Sequence, residues 1–272
     1  MRFSGKLITV TQVALRRQVL SLMRKYSTQL QSFTSSSDTF QVLNPSSRHS
    51  NNGPLYVLDS SFNPPTNAHL ALATSSLPAE RNVTVLLLLA IHNADKQAKP
   101  ASFDHRLEMM ELLAKRIQMK SQAITALIAL SKHPRFVDKA EDVSNSFPFV
   151  TEVIWLVGFD TLIRILDKKY YIPNTVEDSL RDFWAKNRFV CAIRGEEASE
   201  RAYLNQIRSG EVEGVPGLWA EYVTMIEPVG KEQSSTRARE AAANGRWEEV
   251  ERVVPEGIAE YIRKEKLYSS NV

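Results

Sequence analysis

The chain has 272 residues, 43% of them hydrophobic and 24% charged, and a formal net charge of +3. This composition is typical of a globular protein with one large or two small domains, and it lacks the block of basic residues that would indicate a nucleic-acid partner. A single cysteine, Cys191, excludes a disulfide framework and a cysteine-rich metal site, and the longest apolar run, Val85 to Ile91, is too short to span a bilayer.

Residues 1–51 differ in character from the rest of the chain. Ser and Thr are frequent in them, and six basic residues precede the first acid, Asp38: Arg2, Lys6, Arg16, Arg17, Arg24 and Lys25. Such a start is typical of a mitochondrial transit peptide. The alternative is a helix, roughly Val10 to Phe33, that docks on the domain or stays mobile, followed by a linker. Because a lone cysteine suits a reducing compartment, we expect a cytoplasmic and/or nuclear protein, with mitochondrial targeting as the alternative.

From residue 52 to 272, short apolar runs alternate with longer amphipathic segments, which predicts one α/β domain with a doubly wound parallel sheet. The expected strands are Leu55–Asp59, Val83–Ala90, Ala123–Leu130, Val153–Val157, Arg188–Ile193 and Tyr222–Ile226. The expected helices are Asn67–Ser76, Phe103–Lys120, Asp160–Leu166, Glu177–Lys186 and Glu197–Arg208, with a C-terminal helical segment over Ser235–Asn244 and Gly257–Lys266. The polar stretch from Leu130 to Phe149 is expected to be an irregular surface connection.

The most informative segment runs from Asp59 to Leu70, Asp-Ser-Ser-Phe-Asn-Pro-Pro-Thr-Asn-Ala-His-Leu, between the first strand and the first helix of this domain. A strand-to-helix turn of this kind directs backbone N–H groups and the positive end of a helix dipole at one point, which suits a phosphate. His69 lies in the first turn of the helix, within reach of the same anion. The alternative interpretation is an ordinary loop with a surface histidine.

A second segment, Ser234-Ser235-Thr236-Arg237-Ala238-Arg239, opens a helix near the C-terminus. Its hydroxyl groups can cap the helix, and its arginines can bind anions. Taken alone it is an ordinary capped helix start. Because ligands of doubly wound sheets lie beyond the carboxyl ends of the strands, we expect it to meet the turn at residues 59–69 and the Gly158-Phe159-Asp160 segment there.

Together these motifs resemble the signatures of nucleotidyltransferases, H/T-x-G-H and S-S-T-x-x-R. The stretches Leu86–Met110 and Leu156–Tyr171 are similar to the divergent fungal branch of the nicotinamide mononucleotide adenylyltransferases. The resemblance implies a Rossmann-like sheet of the nucleotidyltransferase type. It also implies that ATP and nicotinamide mononucleotide are joined to give NAD and pyrophosphate, with Mg²⁺ bound through the ATP phosphates and no metal ligands from the protein.

The resemblance also implies roles for particular residues. His69, Thr66 and Arg239 are the expected catalytic residues, His69 and Arg239 through contacts with the phosphates of ATP. Further contacts to the nucleotides are expected from Ser60, Ser61, Phe62, Lys96, Gly158, Asp160, Trp184, Arg194, Ser235 and Thr236. In this family Asp160 would accept hydrogen bonds from a ribose, Lys96 or Lys99 would hold phosphates, and Trp184 would stack on the nicotinamide ring.

Several of these residues have ordinary alternatives. Asp160 could cap the helix that follows Gly158, Arg194 could be a solvated turn residue, and Trp184 could belong to the core. His105 and Arg106 are expected to be structural, with Arg106 paired to an acid. Two positions depart from the family pattern, since Ser60 and Ala68 stand where it has glycine.

Two other functions fit the same sequence. One is a different nucleotidyltransferase or an ATPase of the same fold. The other is a nucleotide-binding regulatory or quality-control factor with little turnover, against which the presence of both His69 and Arg239 argues.

Overall fold

A computed structural model describes residues 26–46, 53–78, 82–91, 101–193, 195–227, 230 and 233–269. Its strands are β1 Phe40–Val42, β2 Leu55–Asp59, β3 Val83–Ala90, β4 Ile124–Ser131, β5 Val153–Gly158, β6 Asn187–Ala192 and β7 Val223–Ile226. They form one sheet in the order β1-β4-β3-β2-β5-β6-β7, in which β1 is antiparallel and the others are parallel. The predicted doubly wound parallel sheet is confirmed.

Helices cover both faces of the sheet. We call the helix over residues 26–35 α1, and the others are α2 Asn67–Ser75, α3 Phe103–Gln118, α4 Phe136–Ser146, α5 Phe159–Ile165, α6 Val176–Leu180, α7 Glu197–Ser209, α8 Ser235–Ala243, α9 Trp247–Val253 and α10 Ile258–Lys264. Side chains of α1, α2 and α3 pack on one face, and those of α4 to α7 pack on the other. The last three helices, α8 to α10, pack against α3 from outside. No described helix has the length and apolar character needed to cross a membrane.

The segment before residue 52 contributes to the packed domain. Tyr26 and Phe33 of α1 are buried in the same cluster as Leu43, and β1 pairs with β4 at the edge of the sheet. The expected boundary at residue 52 therefore does not coincide with the start of the folded structure. Such a short edge strand has too few residues to show an alternating pattern.

Two sequence-based predictions of secondary structure were wrong. The stretch from Leu130 to Phe149, expected to be irregular, contains α4, which buries Ala140 and Val143 against the sheet. The helix expected over Glu177–Lys186 is instead the short α6 followed by a 3-10 turn over Phe183–Ala185. In both places apolar side chains pack against the sheet, and this packing stabilises short helical elements that would be marginal in isolation.

Candidate active site

A cavity of about 710 Å³ lies at one edge of the sheet. The last residue of each of four parallel strands lines it: Asp59 of β2, Ala90 of β3, Gly158 of β5 and Ala192 of β6. This is the carboxyl edge, where the chain order reverses between β2 and β5 and where doubly wound sheets bind their ligands.

The turn between β2 and α2 forms the floor of the cavity. Ser60 stays in register with the sheet through its backbone N–H, which donates to Leu88 O at 3.2 Å. Phe62 is fully buried and has a φ of 45°, a left-handed conformation that a bulky side chain rarely adopts. Such backbone strain persists only where surrounding packing enforces it, as it often does at functional sites. The buried Phe62 ring therefore serves as an anchor for the turn.

His69 is held in one orientation by its own helix start. The Thr66 backbone N–H donates to His69 Nδ1 at 3.0 Å, and the two side chains form a reciprocal cap at the first turn of α2. Because Nδ1 accepts this hydrogen bond, the neutral imidazole carries its proton on Nε2. Nε2 lies 2.9 Å from Ser60 Oγ. The ring therefore presents an N–H donor at the cavity wall, where the Ser60 hydroxyl now takes the place that an anionic oxygen could occupy.

The start of α8 is fastened to the same turn. Ser235 Oγ donates to Pro64 O at 2.8 Å, and Arg239 Nη1 donates to Asn63 O at 2.8 Å. The other branch of the guanidinium donates to Thr236 Oγ1 at 3.1 Å. The N-termini of α2 and α8 thus converge on one cavity wall, where their free backbone N–H groups and dipoles favour a negatively charged ligand.

The approach of the two segments leaves no room for larger side chains. Gly230 precedes α8 with a φ of 64°, and a Cβ atom added there would lie 2.8 Å from Cβ of Ala68. The glycine is required both for the backbone conformation and for this contact. Ala68, which stands where the family pattern has glycine, therefore places its methyl group directly against Gly230.

Arg106 was predicted to pair with an acid, and no described residue fills that role. Its side chain is 5% exposed, lines the cavity, and donates from Nε to Ala101 O at 2.9 Å, but no described carboxylate pairs with it. Burial lowers the pKa of the guanidinium, and the nearby charge of Arg239 lowers it further, opposed by Tyr268. Its neighbour His105 has the structural role expected, with Nδ1 2.7 Å from Tyr261 OH of α10.

The C-terminal tail adds a further support to the turn. Tyr268 OH donates to Asn63 Oδ1 at 2.8 Å, while Arg239 binds the carbonyl oxygen of the same residue. Asn63 is only 4% exposed, so both bonds are shielded from solvent. Three groups from the C-terminal helical segment therefore hold two consecutive residues of the turn, Asn63 and Pro64.

The opposite wall of the cavity has a different composition. Lys139 of α4 bonds to Asp59 at the end of β2, with Nζ and Oδ2 2.7 Å apart. Aromatic side chains from α4 and from the turn after α5 lie on the same wall: Phe136, Tyr170 and Tyr171. Arg135 forms two hydrogen bonds of 2.8 Å to Asp138. An aromatic wall of this kind suits a planar ring.

The charges around the cavity are mainly positive. Asp59 is the single acidic side chain among the described residues that line it, whereas five lining residues are arginine or lysine: Arg106, Arg135, Lys139, Arg164 and Arg239. A cavity with this balance attracts and holds a polyanion.

The structure brings most of the residues expected from the sequence to one place. The following line the cavity: Ser60, Ser61, Thr66, His69, Gly158, Ser235, Thr236 and Arg239. Phe62 lies behind the turn, and Asp160 is exposed at the start of α5 and does not line the cavity. Lys96, Lys99 and Arg194 lie outside the described residues, as do the basic residues 2 to 25.

Trp184 is not at the site, which corrects its expected contact with the nicotinamide ring. It is 4% exposed in the core, stacks on Tyr222 with the ring centres 5.3 Å apart, and meets Phe189 edge to face. The aromatic residues on the cavity wall come from other segments. One of them, Tyr170, lies within the stretch Leu156–Tyr171 that resembles the fungal adenylyltransferases.

Sequence reasoning missed three features of the cavity. Arg106 was expected to have a structural role, because a sequence does not show whether an arginine has an acidic partner. Lys139 and Phe136 fell in the stretch expected to be irregular. An amphipathic pattern from Phe136 to Val143 could have indicated α4 and hence its position at the carboxyl edge.

The fold and the cavity define an α/β nucleotidyltransferase, in which two helix starts form one wall of the cavity. The chain belongs to the cytidylyltransferase-like family, whose model matches residues 57–241. This confirms the resemblance inferred from the motifs.

Relatives and solved structures agree with this assignment. The chain is 38% identical over 247 residues to a Schizosaccharomyces pombe protein named "Putative nicotinamide mononucleotide adenylyltransferase", a match over 88% of this chain and 95% of the relative. It is 29% identical over 222 residues to a Chlorobium luteolum protein named "Probable nicotinate-nucleotide adenylyltransferase", over 79% and 97% of the two chains. The structure of a Plasmodium falciparum nicotinic acid mononucleotide adenylyltransferase complexed with NaAD has the same fold, with a TM-score of 0.55 at 16% identity over 80% and 98% of the chains.

Proposed function

We propose that this protein is an adenylyltransferase of NAD biosynthesis that joins ATP and nicotinamide mononucleotide to give NAD and pyrophosphate. The observation that carries the proposal is the convergence of the α2 and α8 starts, with His69 and Arg239, on one wall of a mainly cationic cavity. The S. pombe relative, by its name, supports nicotinamide mononucleotide as the acceptor.

The reaction is an in-line displacement at the α-phosphorus of ATP. A phosphate oxygen of the mononucleotide forms the new P–O bond, and the bond from the α-phosphorus to the oxygen of the leaving pyrophosphate breaks. The protein forms no covalent bond in this scheme, so it accelerates the reaction by positioning the two phosphates and stabilising their charge.

His69 is assigned to the α-phosphate. When ATP enters, the Nε2–H turns from Ser60 Oγ to a phosphate oxygen, and the Thr66 N–H on Nδ1 keeps the tautomer that makes this donation possible. The donor meets charge that increases in the transition state, where a fixed hydrogen bond has its largest effect.

Arg239 and Arg106 are assigned to the pyrophosphate part of ATP. Arg239 is already fixed by Asn63 O and Thr236 Oγ1, so little side-chain entropy is lost on binding. Arg106 is buried beside it without a described acidic partner, and phosphate oxygens would supply that missing countercharge.

The opposite wall is assigned to the acceptor. Phe136 and Tyr170 line the cavity and are proposed to contact the planar nicotinamide group, a role that the buried Trp184 cannot fill. Ser61 is exposed on the turn and lines the cavity. We propose that it contacts the phosphate groups that become joined in the reaction.

Mg²⁺ is proposed to arrive with the triphosphate. Among the described residues no group of three His, Cys, Asp or Glu side chains could hold a metal ion, and the one carboxylate on the cavity wall is bonded to Lys139. Phosphate oxygens and water are the ligands that Mg²⁺ prefers, and the bound ion would neutralise part of the phosphate charge.

The test is a product assay with purified protein, ATP, Mg²⁺ and a panel of acceptors: nicotinamide mononucleotide, nicotinic acid mononucleotide and phosphopantetheine. NAD formation above that of a His69→Ala control supports the proposal. Pyrophosphate release with phosphopantetheine alone would favour a different nucleotidyltransferase. ATP binding by calorimetry without any product would favour a regulatory factor.

A further inference from the structure

A buried ion pair lies on the acceptor wall of the cavity, and neither the motifs nor the family resemblance assigned it a function. Lys139 Nζ and Asp59 Oδ2 are 2.7 Å apart, and their side chains are 9% and 15% exposed. A buried pair of charges contributes little net stability, because desolvation offsets most of the attraction. Its position on a cavity wall is therefore better explained by ligand binding than by packing.

The pair and His69 lie on opposite sides of β2. Successive side chains of a strand point to opposite faces of the sheet. Leu55 and Val57 pack in the cluster that contains α4, whereas Tyr56 and Leu58 pack in the cluster that contains α2. Asp59 continues the first series and meets Lys139 of α4. Ser60 continues the second and meets His69 of α2.

This alternation places two anion-binding groups on either side of one chain. Residues 59 and 60 are neighbours in the chain, and both groups line the same cavity, one on each side of β2. An acceptor phosphate about to attack the α-phosphorus must occupy the side away from the leaving pyrophosphate. Since the proposed function assigns the pyrophosphate part of ATP to the wall of Arg239 and Arg106, the acceptor phosphate is assigned to the opposite wall, where Lys139 lies.

Lys139 has the donors that such a ligand needs. An ammonium group carries three N–H donors, and the part of the chain that the structure describes provides one acceptor for them, Asp59. On the same wall, Arg135 is occupied by two bonds to Asp138. Lys139 is therefore the buried cation of this wall with donors left for a ligand.

We propose that Lys139 binds the phosphate of the acceptor mononucleotide and that Asp59 only balances the charge of the ammonium group while the site is empty. The inference rests on the proposed function and adds one binding residue, Lys139, to it. The phosphate then takes up the remaining ammonium donors, while ATP stays on the opposite wall.

The competing explanation is that the pair only fastens α4 to β2. The two explanations predict different results from the two partners. If the pair only holds α4 against β2, removing either partner has the same effect on the protein. If Lys139 binds the acceptor, the KM for the mononucleotide depends on the lysine and not on the aspartate.

The experiment compares Lys139→Met and Asp59→Asn with the wild type, measuring KM for each substrate and the thermal unfolding temperature. Lys139→Met is expected to raise KM for the mononucleotide about tenfold or more, the usual effect of losing a hydrogen bond to a charged group, with KM for ATP unchanged. Asp59→Asn keeps the lysine and is expected not to raise KM for the mononucleotide. Lys168→Met is the matched control, because its 2.7 Å pair with Glu213 is on the surface.

Each outcome decides the question. If the wild type forms NAD and both variants raise the mononucleotide KM equally, or neither does, the inference is wrong while the proposed function stands. If Lys139→Met does not fold, a raised mononucleotide KM in Asp59→Asn alone overturns it. If the wild type forms no dinucleotide with any mononucleotide, the proposed function fails, and this inference fails with it.

Discussion

The two walls of the cavity are built in different ways. The wall that we assign to ATP, here called the ATP wall, contains the turn at residues 59–69 and the start of α8, which are short continuous segments. Hydrogen bonds between residues three positions apart orient Thr66, His69 and Ser234. On the acceptor wall, the aromatic rings and Lys139 come from separate segments that meet through packing of α4 and α5 on the sheet. Local capping thus orients His69 and the start of α8, whereas the acceptor wall depends entirely on the tertiary arrangement of distant elements.

The comparison teaches how the site separates its two tasks. On the ATP wall the proposed donors are fixed in place, His69 by Thr66 and Arg239 by Asn63 O. The acceptor wall consists of aromatic residues and of the ion pair between Lys139 and Asp59. We therefore expect substitutions on the two walls to affect different kinetic constants.

His69→Ala should have the largest effect and should lower kcat for NAD formation on the order of 10²-fold or more, because it removes a donor to charge that develops in the transition state. The loss should appear at saturating concentrations of both substrates. His105→Ala is the control, since His105 bonds to Tyr261 away from the cavity. A His69→Ala rate close to that of the wild type would show that the two walls do not differ as proposed.

Arg106→Met should come next. It removes a buried guanidinium from the ATP wall and should raise KM for ATP about tenfold or more, with KM for the mononucleotide unchanged. Arg116→Met on the same helix is the matched control, because Arg116 forms its ion pair with Glu256 outside the cavity. Steady-state kinetics with each substrate varied in turn measure the two KM values separately for each variant. Equal changes in both KM values would place Arg106 between the walls rather than on one.

Tyr170→Leu tests the acceptor wall. Loss of an aromatic contact of about 1 kcal/mol should raise KM for the mononucleotide about fivefold, with no change in KM for ATP. Trp184→Phe is the comparison, and it should leave the mononucleotide KM unchanged while lowering the unfolding temperature, because Trp184 belongs to the core. The reverse pattern would restore the original expectation for Trp184.

Tyr268→Phe should have the smallest effect. It removes one neutral hydrogen bond to Asn63, worth about 1 kcal/mol, and should lower kcat/KM for ATP by up to about fivefold. Ser269→Ala, which removes a bond to Lys266 O in the same tail, is the control. An effect on the mononucleotide alone would contradict the view that the C-terminal segment supports only the ATP wall.

Much of the ATP wall could be predicted from the sequence. The apolar run of β2, the Pro-containing turn and the hydroxyl-rich start of α8 are each recognisable over fewer than a dozen residues, because strand burial and helix capping depend on near neighbours. The parallel sheet followed from nearly continuous apolar runs such as Val83–Ala90, whose residues are buried except at the end.

Other features were decided by the tertiary structure alone. Trp184 and Tyr170 are both aromatic residues near helix ends, and only the packing of α6 and the 3-10 turns places one in the core and the other at the cavity. Arg106 and Lys139 are ordinary cations in the sequence. Burial leaves Arg106 without a described acid and gives Lys139 its partner Asp59, because these environments depend on residues far apart in the chain.

Local chemistry in the sequence was therefore enough to predict the parallel strands, the turn with His69 and the second helix start with Arg239. The tertiary structure decided that these two motifs meet, through Asn63 O and Pro64 O, and which cations and rings complete the cavity around them. The physical reason is that hydrogen-bonded caps are local, whereas burial and charge pairing arise only when distant segments pack together.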